Sequence, residues 1–285
     1  MRALLKGYGL HPIKGLGQNF LVDRRVLRRI VEAAELEPTD LVLEVGPGLG
    51  TLTRALAERA GRVIAVELDE RLVEILSHTL ADYPNVEIVH GDILELDLAK
   101  LVGYKMQDAR CKAPSAPCTY KVVANLPYYI TSAILRHLLE VEAKPQLMVV
   151  TVQREVAQRL VAGPGQMSLL AVSVQFYGEP QIVARVPARA FYPSPQVSSA
   201  VVRIDVREGP PFAVEDIDRF FAVVRAGFSQ RRKQLRNSLS QGLGIPVEEV
   251  VEALRRCGID ERRRAQSLSV EEWGELYREF SIKPA

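Results

Sequence analysis

The stretch Glu44-Val45-Gly46-Pro47-Gly48-Leu49-Gly50 closes an apolar run and opens an amphipathic one. Glycines at such a corner let the backbone pass close to a ligand, and the first turn of a helix offers it free N–H groups. The spacing of Gly46, Gly48 and Gly50 is G-x-G-x-G, which differs from the dinucleotide fingerprint G-x-G-x-x-G. Taken alone, a glycine-rich turn suits any tight strand-to-helix corner. Two carboxylates narrow the reading. Glu67 follows Val63-Ile64-Ala65-Val66, a position from which it can accept both hydroxyls of a ribose. Asp92 ends the next apolar run, in His90-Gly91-Asp92-Ile93, and can accept a hydrogen bond from an adenine amino group. Either acid alone could be a solvated strand-end carboxylate. Together with the glycine loop they converge on one crevice, because ligands of parallel sheets bind outside the carboxyl ends of the strands.

The glycine loop resembles the S-adenosyl-L-methionine site of class I methyltransferases. That resemblance implies Glu67 at the ribose, Asp92 at the adenine and the glycine loop at the methionine part, with Leu68 and Ile93 among the cofactor-binding residues. A second motif, Asn125-Leu126-Pro127-Tyr128, ends the fourth apolar run. It resembles the [DNS]-[PIL]-P-[YF] motif of methyltransferases that modify an exocyclic amino nitrogen. The lone pair of such a nitrogen is delocalised into the ring, so the nitrogen is a poor nucleophile. Hydrogen bonds from its protons to the Asn125 side-chain oxygen and the Leu126 carbonyl favour a tetrahedral nitrogen and localise the lone pair for in-line attack on a sulfonium methyl. Pro127 stiffens the turn, and Tyr128 offers a face for base stacking, worth roughly 1–3 kcal/mol. No strong general base is needed, since the nitrogen sheds its proton after attack; the step is positioning and electrostatics. Phe191-Tyr192-Pro193-Ser194-Pro195 sits in a Pro-rich loop, where Phe191 either closes the second face of a flipped base or simply packs.

These residues need a scaffold of strands and helices. Residues 41–46, 62–68, 86–93, 120–126 and 146–152 are short apolar runs rich in β-branched residues. Their continuous apolarity predicts strands buried on both faces, as in a parallel sheet. Amphipathic segments at 52–60, 70–80 and 132–140 lie between them, and this alternation predicts a doubly wound α/β fold. Residues 181–186 and 199–206 extend the sheet as a terminal hairpin. Residues 103–119, with Pro114 and Pro117, read as an exposed loop. Arg207-Glu208-Gly209-Pro210-Pro211 reads as a linker, and helical periodicity follows it. The expected architecture is α/β, a class I methyltransferase Rossmann-like doubly wound sheet over 1–206, with a small all-helical domain over 207–285.

The 285 residues are 47% hydrophobic and 25% charged, ordinary for a globular protein and unlike a disordered one. No apolar stretch reaches the roughly 18 residues of a membrane span. The N-terminus has no unbroken apolar core or cleavage site of a secretory signal. Three cysteines, Cys111, Cys118 and Cys257, fit neither a disulfide framework nor a zinc pattern, so free thiols, no metal and a cytoplasmic location are expected. Net charge is +2. That total conceals +6 over residues 1–30, where seven basic residues face Asp23 alone, against net zero over 205–285. Arg24, Arg25 and Arg28 belong to the first segment. Arg231, Arg232, Lys233 and Arg236 form a second cluster, and Arg255, Arg256, Arg262, Arg263 and Arg264 a third. Clustered positive charge neutralises phosphates, although a charge run is as often a solvated helix face.

Leu16-Gly17-Gln18-Asn19-Phe20-Leu21 completes the pattern. With the motifs above, the chain from about Gly15 to Ser281 resembles the rRNA adenine N6,N6-dimethyltransferase family, most closely the bacterial members that modify two adjacent adenosines near the 3′ end of 16S rRNA. The resemblance implies that Gln18, Asn19 and Leu21 contact the cofactor, joined by Asn125. It also implies that Tyr128 and Phe191 sandwich the adenine, and that the C-terminal helices help hold RNA. The expected partner is 16S rRNA or an immature 30S subunit, with the enzyme a monomer. Three rival readings differ in kind. A 23S rRNA dimethylase of the macrolide-resistance type more often carries Ile at the position of Leu126. A non-catalytic nucleic-acid-binding protein on this fold need not keep Gly46, Glu67, Asp92, Asn125 and Tyr128 together. A nicotinamide dehydrogenase would space its glycines otherwise.

Overall fold

The apolar runs form strands where their continuous burial requires it. In chain order the elements are β1 (Phe20–Leu21), α1 (Arg24–Ala33), β2 (Leu41–Val45), α2 (Thr51–Ala57), β3 (Arg62–Glu67), α3 (Glu70–Thr79), β4 (Val86–His90), α4 (Leu98–Met106), β5 (Tyr120–Asn125), α5 (Thr131–Glu140), β6 (Leu147–Gln153), α6 (Arg154–Leu160), α7 (Leu169–Tyr177), β7 (Gly178–Val186), β8 (Phe191–Tyr192) and β9 (Ser199–Val206). Helices α8 (Ile217–Phe228), α9 (Leu235–Leu243), α10 (Val247–Arg256) and α11 (Val270–Ser281) follow. The computed structural model describes residues 7–9, 11–106 and 119–281. Of the expected loop 103–119, residues up to Met106 end α4, while 107–118, with Cys111 and Cys118, lie outside the described residues.

Among the described residues seven strands form one sheet in the order β4-β3-β2-β5-β6-β9-β7. Strands β4, β3, β2, β5 and β6 are parallel, and β9 runs antiparallel to β6 from Leu147↔Asp205 to Gln153↔Ser199. Every residue of β2 is buried, as expected of an interior parallel strand. The sheet grows one way through β3 and β4 and the other way through β5 and β6. The crevice between the ends of β2 and β5 is therefore the switch point at which such sheets bind ligands. A separate two-stranded ladder pairs β1 with β8, Phe20 opposite Tyr192 and Leu21 opposite Phe191.

Helix α1 begins at Asp23, whose carboxylate accepts from the N–H groups of Arg25 and Val26. It buries Val26, Ile30 and Val31 and leaves Arg24, Arg25, Arg28 and Arg29 exposed. Helix α3 is capped in the same way by Asp69.

The chain divides into two compact units, Met1–Ala157 with Glu179–Val206, and Gln158–Gly178 with Arg207–Ala285. The second unit thus differs from the expected 207–285 by taking in Gln158–Gly178. The sequence reading assigns no element to 154–177, where α6 and α7 form. The reason for the grouping is aromatic packing. Phe176 of α7 stacks on Phe220 of α8 with ring centroids 4.7 Å apart, and meets Phe221 and Phe212 edge-on. Trp273 of α11 is fully buried in the same unit.

Candidate active site

A cleft of about 990 Å³, counting its open mouth, opens at the switch point. Its walls are the glycine loop, the ends of β3 and β4, the turn after β5, and the strap of residues 16–21 that leads into α1.

Gly46, Gly48 and Gly50 take φ angles of 69°, 61° and 73°, left-handed values that L side chains rarely adopt. A Cβ on Gly48 would lie 2.9 Å from the Phe20 ring, so this glycine admits β1 against the loop. A Cβ on Gly46 would meet nothing nearer than the Asn125 carbonyl at 4.0 Å, so Gly46 leaves the cleft floor open.

Glu67 is buried and well connected. Its Oε2 accepts from the Gly48 N–H at 3.1 Å, and its Oε1 accepts from the N–H groups of Leu68 and Asp69, each at 3.0 Å. Burial pushes its carboxyl above the usual range, opposed by those three N–H groups and reinforced by the Asp69 charge. Three of roughly four acceptor positions are engaged, two on Oε1 and one on Oε2, so the open position for a ribose hydroxyl is on Oε2, beside the Gly48 N–H. Asp92 offers more. Its Oδ1 caps the Leu94 N–H at 2.9 Å, while no described residue donates to its Oδ2. Leu68 and Ile93 line the cleft beside these acids, Leu68 exposed and Ile93 buried.

Gln18, Asn19 and Leu21 of the strap all line the cleft, and the first two also make hydrogen bonds within the protein. Gln18 lines the cleft, yet its amide is engaged within the protein: Nε2 donates to Asp69 Oδ2 at 2.8 Å and Oε1 accepts from the Ile13 N–H at 2.8 Å. The Asn19 side chain donates to the Gly17 carbonyl, and the Asn19 carbonyl accepts from Asn125 Nδ2 at 3.1 Å. Gln18 and Asn19 therefore clasp the strap to the turn after β3 and to the end of β5. Leu21 contributes an apolar wall from β1.

Asn125 closes β5 with its amide oriented by that bond. Its Oδ1 is buried and has no hydrogen-bond partner. The following carbonyls divide their work. Pro127 accepts from the Ile130 N–H and from the Thr131 hydroxyl, whereas no described residue donates to the Leu126 carbonyl. Two acceptors thus stand unengaged in adjacent residues. The Tyr128 hydroxyl is 2.6 Å from Ser199 Oγ, which anchors the ring at the cleft wall. Burial raises the phenol's pKa, and the Ser199 contact opposes the rise.

Phe191 is a correction. It does not line the cleft but lies 3% exposed in the core with Leu21, Ile30 and Val201. Its pairing in β8 opposite Leu21 turns it inward. Tyr192 beside it packs on Phe20, Leu49 and Leu72.

Sequence reasoning passed over Glu44. It is 1% exposed in β2, lines the cleft, and has an unpartnered Oε2. Burial pushes its carboxyl up to about 8, with the Thr53 hydroxyl opposing and the Glu67 charge adding to the rise. The available signal was a lone acid inside the apolar run Leu41–Val45. Tyr129, 55% exposed at the cleft mouth, was also missed.

The basic clusters separate by pairing. Arg24, Arg25 and Arg28 on α1 are exposed and form no ion pair with any described residue. Arg231, Arg232 and Lys233 are likewise exposed and unpaired among the described residues, in the turn between α8 and α9. Arg236 instead pairs with Glu261. In the third cluster Arg255 and Arg256 pair with Glu252, Arg256 also with Glu279, and Arg263 with Glu272.

Residues 13–281 match the family model described as ribosomal RNA adenine dimethylase. The ribosomal RNA small subunit methyltransferase A of Dehalococcoides mccartyi strain 195 is 49% identical over 284 residues, covering 99% of this chain and 93% of that one. The protein of the same name from Moorella thermoacetica is 48% identical over 278 residues, covering 97% and 95%. Among solved structures, the 23S rRNA methyltransferase ErmE superposes with a TM-score of 0.70 at 32% identity, covering 92% of this chain and 100% of that one. A dimethyladenosine transferase from Plasmodium falciparum gives a TM-score of 0.75 at 23% identity, covering 92% and 98%, a likeness of fold. With the family model spanning nearly the whole chain and the glycine loop, paired acids and Asn125–Tyr128 turn gathered around one cleft, this chain belongs to the ribosomal RNA adenine dimethylase family.

Proposed function

We propose that this protein transfers methyl groups from S-adenosylmethionine to N6 of two adjacent adenosines in the 3′-terminal hairpin of 16S rRNA, giving N6,N6-dimethyladenosines during small-subunit assembly. It acts in the cytoplasm as a monomer, on the RNA or an immature 30S subunit. The observation that carries the reading is the pair of unengaged acceptors, Asn125 Oδ1 and the Leu126 carbonyl, at the wall of a cleft suited to an adenosine-bearing ligand.

The cleft fits that cofactor. Asp92 keeps a free oxygen for an adenine amino group, Glu67 faces the ribose position, and the missing Cβ of Gly46 leaves room for the methionine part. When bound, the cofactor supplies an electrophilic methyl on a sulfonium. The protein's own part is to hold the amino nitrogen. Asn125 Oδ1 and the Leu126 carbonyl accept hydrogen bonds from its N–H groups, pull the nitrogen toward tetrahedral geometry and aim its lone pair. Tyr128, anchored on Ser199, supports one face of the base. Phosphates are met by the unpaired arginines of α1 and by Arg231, Arg232 and Lys233, whose charge no described acid neutralises.

The small-subunit assignment is supported by relatives at 49% and 48% identity against 32% for the 23S rRNA methyltransferase. The test uses small subunits lacking the modification, labelled S-adenosylmethionine, and mapping of the methylated bases. Label at two adjacent adenosines near the 3′ end of 16S rRNA is expected. Label in large-subunit RNA would promote the 23S reading, and tight cofactor binding without transfer would promote the non-catalytic one.

A further inference from the structure

Glu44 occupies an unusual place for an acid. It sits in β2, a strand buried along its whole length, yet it faces the cleft. It is 1% exposed, and its Oε2 has no hydrogen-bond partner. No Lys or Arg among the described residues forms an ion pair with it. An ionised carboxylate so placed is strongly disfavoured and normally takes up a proton instead. The charged group that bears on it is Glu67 of β3, whose negative charge opposes ionisation; from α2, Thr53 presents only a hydroxyl.

We infer that Glu44 carries a proton in the ligand-free protein and releases it to solvent when a positively charged ligand enters the cleft, so that this residue selects for a cationic occupant. The inference rests on the cofactor reading above, since S-adenosylmethionine carries its positive charge at the sulfonium. No bond to the ligand forms; the carboxyl O–H breaks, the proton goes to buffer, and the carboxylate is stabilised by the incoming charge. The bound state holds fewer protons, so binding must tighten as pH rises.

The sizes follow from the carboxyl's position near 8. Full ionisation on binding would release about 0.9 proton at pH 7, and Kd would fall about eightfold between pH 6.5 and 7.5. The experiment is calorimetry of S-adenosylmethionine binding to the full chain, in buffers of different ionisation enthalpy, for the wild type and for Glu44→Gln. The expected result is release of most of a proton by the wild type and little by Glu44→Gln, with the variant's affinity nearly flat over that pH range. Glu67 is also raised by burial, so the variant distinguishes the two acids. Binding without proton release, or equal release by both proteins, overturns the inference while leaving the cofactor reading intact. Absence of any binding overturns both. Should Glu44→Gln fail to fold, Glu44→Ala takes its place, and binding by the wild type without proton release overturns the inference in any case.

Discussion

Asn125→Ala separates chemistry from binding in this site. The side chain has two jobs on different atoms. Nδ2 braces the strap through the Asn19 carbonyl at 3.1 Å, and Oδ1 stands buried and unengaged at the cleft. Removing one preorganised hydrogen-bond partner from a transition state typically costs about 10²–10³ in kcat, or roughly 2.7–4 kcal/mol. The Leu126 carbonyl remains, so turnover falls by that amount without vanishing. The lost brace is an ordinary hydrogen bond, worth about 0.5–1.5 kcal/mol, so cofactor Kd weakens by about tenfold at most. Stability falls by about the same 0.5–1.5 kcal/mol, since the brace to Asn19 is lost while the deleted Oδ1 had no partner in the folded state. The assay is single-turnover methyl transfer at saturating cofactor and RNA, with Kd from calorimetry. Asn125→Asp sharpens it: the acceptor survives, but an oxygen replaces the donor facing the Asn19 carbonyl, so the strap is repelled and cofactor affinity falls further than in the alanine variant. A kcat within threefold of wild type for Asn125→Ala, or a loss fully explained by Kd, would refute the catalytic assignment.

Three further outcomes are expected. Replacing Arg231, Arg232 and Lys233 with Ala weakens RNA binding and lowers the slope of log K against log salt by about 2 to 3, roughly one unit per lost phosphate contact; an unchanged slope retires these residues as phosphate contacts. Phe191→Ala costs about 3–5 kcal/mol in urea unfolding, as for a large buried aromatic; full stability with reduced turnover would restore its place against the base. Gly46→Ala strains a left-handed residue by roughly 1–2 kcal/mol but meets no close neighbour, so the fold survives while cofactor affinity drops at least about tenfold; unchanged affinity would remove Gly46 from the cofactor site.

The sheet was legible because interior parallel strands must be apolar on both faces, and β2, β3, β5 and β6 are apolar along most of their length, with Glu44 and Lys121 as the charged interruptions inside β2 and β5. The glycine loop and the Asn125–Tyr128 turn were legible as strand-end motifs, and both line the one cleft. The ladder between β1 and β8 was not. Two residues per strand have no periodicity, and their partners lie about 170 positions apart. The resemblance sets Phe191 against the base, while its pairing with Leu21 places it in the core, the packing alternative that the sequence also left open. The same limit hid α7, whose run Leu169–Tyr177 is apolar on every side and therefore shows no helical stripe.

Charge followed a different logic. A net charge of +2 argues mildly against a polyanionic partner, and the positive N-terminal segment argues for one. Neither sum identifies which cations are available to a phosphate, because that depends on pairing in three dimensions. Arg236 and Arg263 belong to dense basic runs, yet each is held by an acid from a distant or neighbouring turn, Glu261 and Glu272. Their guanidinium groups would have to give up a carboxylate before taking a phosphate, so little free energy is gained by the exchange. Arg24, Arg25 and Arg28 give up only water. Their helix follows directly from the strap that Gln18 and Asn19 clasp across the cleft, so charge on α1 and the position of the strap are joined by two residues, Val22 and Asp23. RNA held on α1 therefore bears on the wall of the cofactor cleft itself, whereas RNA held at Arg231–Lys233 bears on the helical unit, and substitutions at the two places should differ accordingly: those on α1 alter cofactor affinity in the presence of RNA, and those at the turn alter RNA affinity alone.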